Sequence, residues 1–235
     1  MITRTTAPNK IDFSAGEVIL IDKVFGYTSF GAVHIIRKTT GVKKVGHAGT
    51  LDPNATGLLL ICTGKMTKSI NEFQELGKEY TGVIELGKRT PSMDTETEVS
   101  EEKSVEGITE KDILEARDKF SGKIEQIPPM YSAVKYGGRS LYKFARKGRT
   151  VVRAAREAFI KEFEIEEISM PFVRFRISCS KGTYIRVIAD DLGTELGCGA
   201  YLKELRRTSI GSYKVEDALT VDEFRKIYGR KLEEV

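Results

Sequence analysis

The chain has 235 residues, 40% of them hydrophobic, and a formal net charge of +4. That length suits one large domain or two small ones, and no apolar run approaches a membrane span. Three scattered cysteines and two histidines offer neither a disulfide framework nor metal-ligand spacing. No Gly-Lys-Ser/Thr phosphate loop is present, so zinc hydrolases and P-loop enzymes are disfavoured. Cys62, Cys179 and Cys198 read as reduced thiols, and the N-terminus lacks a basic-then-apolar signal pattern; a cytoplasmic location is expected.

In chain order, residues 1–15 read as a loose, flexible arm with little apolar periodicity. Val18 to Lys23 reads as a strand. Ser29 is placed to cap a helix carrying Phe30, Val33, Ile35 and Ile36 on its apolar side and ended by Gly41. Gly57 to Thr63 reads as a buried strand. A helix is expected from Thr67 to Leu76, closed by Gly77, and a strand from Tyr80 to Gly87. Residues 88–107 are polar and read as a loop or small insertion. Thr109 with Asp112 matches a capping arrangement for a helix through Phe120. Tyr136-Gly137-Gly138-Arg139 signals a turn, and Leu141 to Lys147 a helix stopped by Gly148. Glu157–Ile168 and Phe172–Cys179 read as long strands, Ile185–Leu196 and Val221–Tyr228 as helices. The irregular alternation with hairpin signals predicts an α+β fold with a mixed, mostly antiparallel sheet.

Two segments carry chemical signals. Gly46 to Gly57 holds His47, Asp52 and three glycines, followed at once by the apolar run Leu58 to Cys62. Pro53 biases Asp52 towards extended backbone and is itself fixed in φ. A carboxylate on a stiffened loop entering a buried strand is a candidate catalytic group; a plain turn served by its glycines fits the local pattern equally well. The second signal is charge. From Gln126 to Arg156 there is no acidic residue, while Lys135, Arg139, Lys143, Arg146, Lys147 and Arg149 alternate with Tyr131, Tyr136, Tyr142 and Phe144. Cations interleaved with aromatics suit phosphate contact and base stacking. The acids gather elsewhere, from Asp94 to Asp118 and from Glu157 to Glu167, and are expected to face away from a polyanion.

Four ordered motifs resemble the TruB family of tRNA pseudouridine synthases. They are Gly46–Gly57, Lys78-Glu79-Tyr80 running into Thr81–Gly87, Gln126–Lys135 with Gly138-Arg139 and Ala145–Gly148, and Cys179–Arg186 leading into Asp191-Leu192-Gly193 and Leu205-Arg206-Arg207. The resemblance covers roughly residues 16 to 213. It implies the pseudouridine-synthase fold, a curved mixed sheet flanked by helices with an RNA-binding cleft. It implies a catalytic domain over 16–213; in one departure from the many family members that carry a C-terminal RNA-binding domain of the PUA type, the remaining helical tail over 214–235 is expected to be too short to form one.

The same resemblance implies the activity: isomerisation of uridine to pseudouridine in the T-arm loop of tRNA, position 55 in tRNA numbering, with no cofactor and no metal. It carries Asp52 over as the catalytic aspartate, Arg186 as its partner, and Tyr80 as the tyrosine that packs on the base. Tyr80 stacks or helps remove the C5 proton; a phenol of ordinary pKa is a poor base at neutral pH. Whether Asp52 adds to C1′ or leads to a glycal stays open. Tyr184 and Leu205 line the uridine pocket, His47 fills the space left by the flipped base, and Asp94 holds partners around it. Lys23 is carried over as substrate-binding, although Val24 follows it where the family usually has proline. The partner is tRNA, with no membrane, no obligate protein partner and a monomeric chain. A tRNA-folding chaperone with incidental catalysis is the alternative, and a base-releasing glycosylase a further rival.

Overall fold

The computed structural model describes residues 1–7 and 11–229. They form two compact units, one drawn from residues 1–80 and 206–229, the other from residues 81–205. The first unit opens with β1 (Val18–Lys23), α1 (Ser29–Thr40), β2 (Val45–His47) and β3 (Thr56–Thr63). A 3-10 turn, Gly64–Ser69, then runs into α2 (Ile70–Glu75). The expected helix over 67–76 is therefore shorter and begins as a tighter coil. β4 (Lys78–Leu86) leads into the second unit.

In that unit the polar 88–107 segment forms only a short hairpin, β5 (Lys88–Arg89) with β6 (Glu101–Glu102). Then come α3 (Glu110–Asp118), β7 (Gly122–Gln126), the hairpin of β8 (Lys135–Tyr136) and β9 (Arg139–Ser140), and α4 (Leu141–Ala145). The long pair β10 (Arg156–Ser169) and β11 (Phe172–Cys179) precedes α5 (Ile185–Glu195). β12 (Ala200–Ile210) returns the chain to the first unit, where β13 (Tyr213–Lys214), β14 (Leu219–Thr220) and α6 (Val221–Tyr228) complete it.

In the first unit, β1 pairs antiparallel with β3 and parallel with β14, and β3 pairs antiparallel with β2 and parallel with the end of β12. β3 is covered on both faces. Leu59 and Ile61 pack with Ile19, Ile21, Val33, Ile36 and Phe224, while Leu58, Leu60 and Cys62 pack with Val18, Leu20, Ile210 and Val215. Burial on both faces turns an alternating strand into a continuous apolar run, which is why this strand is legible in sequence. The N-terminal segment is held rather than loose. Ile2 is buried, its N–H donates to Val18 O at 2.7 Å, and its carbonyl accepts from Leu20 N at 3.0 Å. The cap of α1 is Thr28, not Ser29: its hydroxyl accepts from Gly31 N, and Gly41 at φ 72° ends the helix.

In the second unit the strand order is β12-β4-β11-β10-β7. β11 buries Val173, Phe175, Ile177 and Cys179 in strict alternation. The Phe163 ring lies 6.1 Å from Phe175 and 6.4 Å from Phe120, below α3. Thr109 and Asp112 cap α3 reciprocally, as the sequence indicates, and Gly137 and Gly138, both at positive φ, turn the β8–β9 hairpin. Both units together give the mixed, mostly antiparallel α+β pattern.

A buried carboxylate sits in the second unit. Glu85 is 3% exposed, and its Oε2 accepts from Tyr201 Oη and Lys203 Nζ, both at 2.7 Å, while Lys88 Nζ lies 3.0 Å from Oε1. Burial alone would raise its pKa, but the Lys203, Tyr201 and Lys88 donors outweigh that and hold it at about 2. Because the folded-state value lies below the unfolded one, the stabilisation is complete above the ordinary carboxylate range and is lost as pH falls towards 2. The melting temperature of Glu85→Gln should therefore lie well below that of the parent chain near pH 6, and the gap should narrow steadily as pH falls towards 2. A gap independent of pH would show that the charge of Glu85 contributes nothing.

Candidate functional site

Asp52 stands at the corner of a tight turn in the first unit. Its carbonyl accepts from Ala55 N at 3.1 Å, which puts Pro53 at the turn position its fixed φ suits. The segment is a turn, and Asp52 at its corner is half-buried. Four groups tie the turn down. Ser29, the buried first residue of α1, donates from Oγ to Leu51 O and accepts from Leu51 N, both at 2.9 Å. Gly26 N donates to Pro53 O at 2.9 Å.

Lys23, at 0% exposure, points its ammonium at the carbonyls of Tyr27 (2.7 Å), Val24 (3.2 Å) and Pro53 (3.3 Å). Burial lowers its pKa to about 8, against the opposing pull of the Asp52 charge. Its donors are directed at backbone carbonyls, and it braces the turn that carries Asp52. The fourth brace is Arg207, 1% exposed, whose Nε donates to Leu58 O at 2.7 Å and whose terminal nitrogens reach Gly49 O at 3.3 Å and Thr50 O at 3.4 Å. It spans both ends of the loop. Gly57, at φ 104°, lies so close to the Arg207 backbone that an added Cβ would stand 2.3 Å from Arg207 O. The sequence places Arg207 in a motif without indicating a role for it.

His47 ends β2 in the same unit. It is half-buried, and its Nδ1 is enclosed without a hydrogen-bond partner. Burial lowers its pKa below the ordinary histidine value, so the ring is neutral at pH 7. Its ring meets the edge of Phe30 with centroids 5.5 Å apart. Tyr80 lies in β4, buried to 9% exposure.

The second unit holds the remaining residues. Arg186, 5% exposed in the first turn of α5, donates to Tyr131 O at 3.0 Å and Ser92 O at 3.1 Å, and its guanidinium lies 3.3 Å from the Asp94 carboxylate. Asp94 is itself buried and accepts from Glu96 N at 2.9 Å. It therefore anchors Arg186 and its own turn. Tyr184 precedes α5; the Gln126 side chain brackets its backbone, accepting from its N–H at 2.9 Å and donating to its carbonyl at 3.1 Å. Leu205 is half-buried in β12.

Of the basic residues, Arg139, Lys143, Arg146, Lys147 and Arg149 surround one cavity of about 540 Å³ with Phe144 in its wall. Lys135 is exposed in β8. Among the described residues, no group of three or more His, Cys, Asp or Glu could hold a metal ion, and no helix is long and apolar enough to cross a membrane.

Two family models match the chain: the TruB family pseudouridylate synthase N-terminal domain over residues 37–185 and the tRNA pseudouridylate synthase B C-terminal domain over 186–234. The chain is 48% identical over 221 residues to tRNA pseudouridine synthase B of Phocaeicola vulgatus, covering 91% of this chain and 94% of that one. It is 49% identical over 213 residues to the protein of the same name from Chloroherpeton thalassium, with 88% of each covered. The corresponding Flavobacterium johnsoniae protein is 47% identical over 222 residues, with 92% and 97% covered. In three dimensions the chain is similar to one in the crystal structure of a Cbf5–Nop10–Gar1 complex, with a TM-score of 0.69, 32% identity, and coverage of 93% of this chain and 59% of that one.

Proposed function

This chain belongs to the TruB family of pseudouridylate synthases, and from that premise we infer that it is an isomerase converting uridine to pseudouridine in tRNA, at the T-arm loop. The N1–C1′ bond of the uridine breaks, the ribose rejoins at C5, the C5 proton leaves and N1 gains one. Atoms and electrons balance without an outside reagent.

The observation that carries the reading is the braced turn around Asp52. Cleavage of the glycosidic bond develops positive character at C1′, and a fixed carboxylate meets that demand as it does in glycosidases. Fixing matters because a misplacement of about 1 Å can cost roughly a hundredfold in rate. On the resemblance we assign Asp52 as the catalytic group and Arg186 as the guanidinium of the site; within its own unit the Asp94, Ser92 and Tyr131 contacts fix the Arg186 side chain. Tyr80 stacks on the base. Tyr184 and Leu205 contact the uridine, and the neutral His47 fills the space the uridine leaves on being turned out. The cavity lined by Arg139, Lys143, Arg146, Lys147 and Arg149 takes RNA phosphates, with Lys135 beside it in sequence.

The test is an unmodified tRNA transcript incubated with the chain, digested to nucleosides and separated by chromatography. Pseudouridine is expected. Free uracil would identify a glycosylase, and unchanged uridine with accelerated tRNA folding would identify a chaperone. A second result follows from the basic cavity. Each phosphate neutralised adds to the slope of affinity against salt, so Arg146→Glu combined with Lys147→Glu should weaken tRNA binding at least tenfold at low salt and flatten that slope. A salt slope unaltered by the double charge reversal would remove this cavity from the RNA path.

A further inference from the structure

Helix α1 opens with an aromatic side chain that the core does not use. By helical spacing Phe30 belongs with Val33 and Ile36, yet it is 77% exposed while Ala32, Val33 and Ile36 are buried. A single exposed apolar residue is ordinary. Here, however, the ring stands edge-on to the His47 imidazole, with planes at 87°. Its neighbour Ser29 makes the two hydrogen bonds to Leu51, the residue before Asp52. The place of Phe30 relative to Asp52 is thus set by a short chain of rigid contacts. Two more exposed apolar side chains, Val24 and Phe25, ride on the turn that Lys23 and Gly26 tie to Pro53 O.

We propose that Phe30, set edge-on beside His47, presents its exposed ring face as a stacking platform for a nucleobase bordering the target uridine, so that Phe30 helps determine which nucleotide reaches Asp52. This rests on the reading of the Asp52 turn as the site of tRNA uridine isomerisation. Turning a base out of an RNA loop strips its neighbours of a stacking face, and an aromatic side chain supplies a replacement whatever the base. A neutral imidazole beside an exposed benzyl ring offers stacking surface without competing for phosphate. An apolar patch tied to the reactive turn favours the RNA substrate over a protein partner, which would have no reason to follow Asp52.

The chain contains no tryptophan, so Phe30→Trp introduces a single fluorophore on the platform. In an Asp52→Asn background, titration with a T-arm stem-loop RNA should quench its emission as the complex forms. The same RNA made abasic on both sides of the target uridine should restore emission in the complex. Val99→Trp, 42% exposed in the acidic stretch, should not respond. In the catalytically intact chain, Phe30→Ala should raise KM about 5- to 150-fold, the equivalent of one base stacked on one aromatic ring, with kcat changed far less. Phe30→Leu, which keeps bulk but loses the π-face, should also raise KM. Emission of the Phe30→Trp chain unmoved by bound RNA, or a Phe30→Ala chain with the parent KM, would overturn the platform. If the parent chain leaves uridine unchanged while the fluorophore still quenches, the platform stands and the catalytic reading falls, so the two failures are separable.

Discussion

Asp52→Asn should abolish pseudouridine formation while leaving the fold and the complex with tRNA intact. Asparagine has nearly the volume of aspartate and suits the same turn. The turn itself is held by backbone contacts from Ser29, Gly26, Lys23 and Arg207 that the substitution does not touch. What is lost is the negative charge and the oxygen proposed to act at the sugar. Loss of a key member of a catalytic unit lowers kcat by several orders of magnitude. Affinity should hold or rise slightly, because a carboxylate facing a polyanion has been removed. Single-turnover release of tritium from C5-labelled uridine in tRNA measures the step directly. Asp191→Asn, on a helix of the second unit, should do far less. Activity of Asp52→Asn within about tenfold of the parent chain, a barrier change of only ~1.4 kcal/mol, would remove Asp52 from the catalytic role.

What the sequence reveals, and what it hides, divides along physical lines. β1, β3, β10 and β11 are legible because their side-chain pattern reports burial directly: continuous where both faces are covered, alternating where one is. β12 does not read as a strand. Its run Lys203-Glu204-Leu205-Arg206-Arg207-Thr208 resembles polar surface, yet Lys203 is paired to Glu85, Arg206 to Asp22 at 2.7 Å, Thr208 to Glu79 at 2.7 Å, and Arg207 to backbone carbonyls. Polar residues satisfied by partners far along the chain look exposed to any local rule. Phe30 misleads in the opposite direction, because a helical period counts apolar residues without knowing where the core ends. The N-terminal segment reads as loose on its threonines, although one isoleucine, Ile2, suffices to pin it. The candidate site residues come from the ordered motifs and not from local pattern. The braces Lys23 and Arg207 escape a structural role because lysine and arginine are almost never fully buried unless paired, and here the pairing is with carbonyls that sequence does not display.

Arg207→Met should be the most destabilising substitution at the site, and it should damage catalysis without touching a reacting atom. Methionine fills much of the space but donates nothing, so the Leu58 carbonyl loses a 2.7 Å partner inside the core, and Gly49 and Thr50 lose longer ones. A buried acceptor left unsatisfied costs about 1–3 kcal/mol. Summed over the three acceptors and set against the desolvation energy recovered by removing a buried charge, the net loss is roughly 2–4 kcal/mol. For a chain of this size that is a fall in melting temperature of roughly 5–15 °C. Arg207→Lys should fall between, since one ammonium cannot span carbonyls at both ends of the loop. Gly57→Ala should mimic the defect from the other side, because its Cβ would stand 2.3 Å from Arg207 O and its φ of 104° is one that L side chains rarely adopt. Measured well below the variant's own melting point, turnover should drop more than tRNA affinity, because the brace sets the position of Asp52 rather than contacting RNA. If Arg207→Met melts within about 2 °C of the parent and turns over normally, the loop is held by Ser29, Gly26 and Lys23 alone, and the buried guanidinium is not what fixes the catalytic carboxylate.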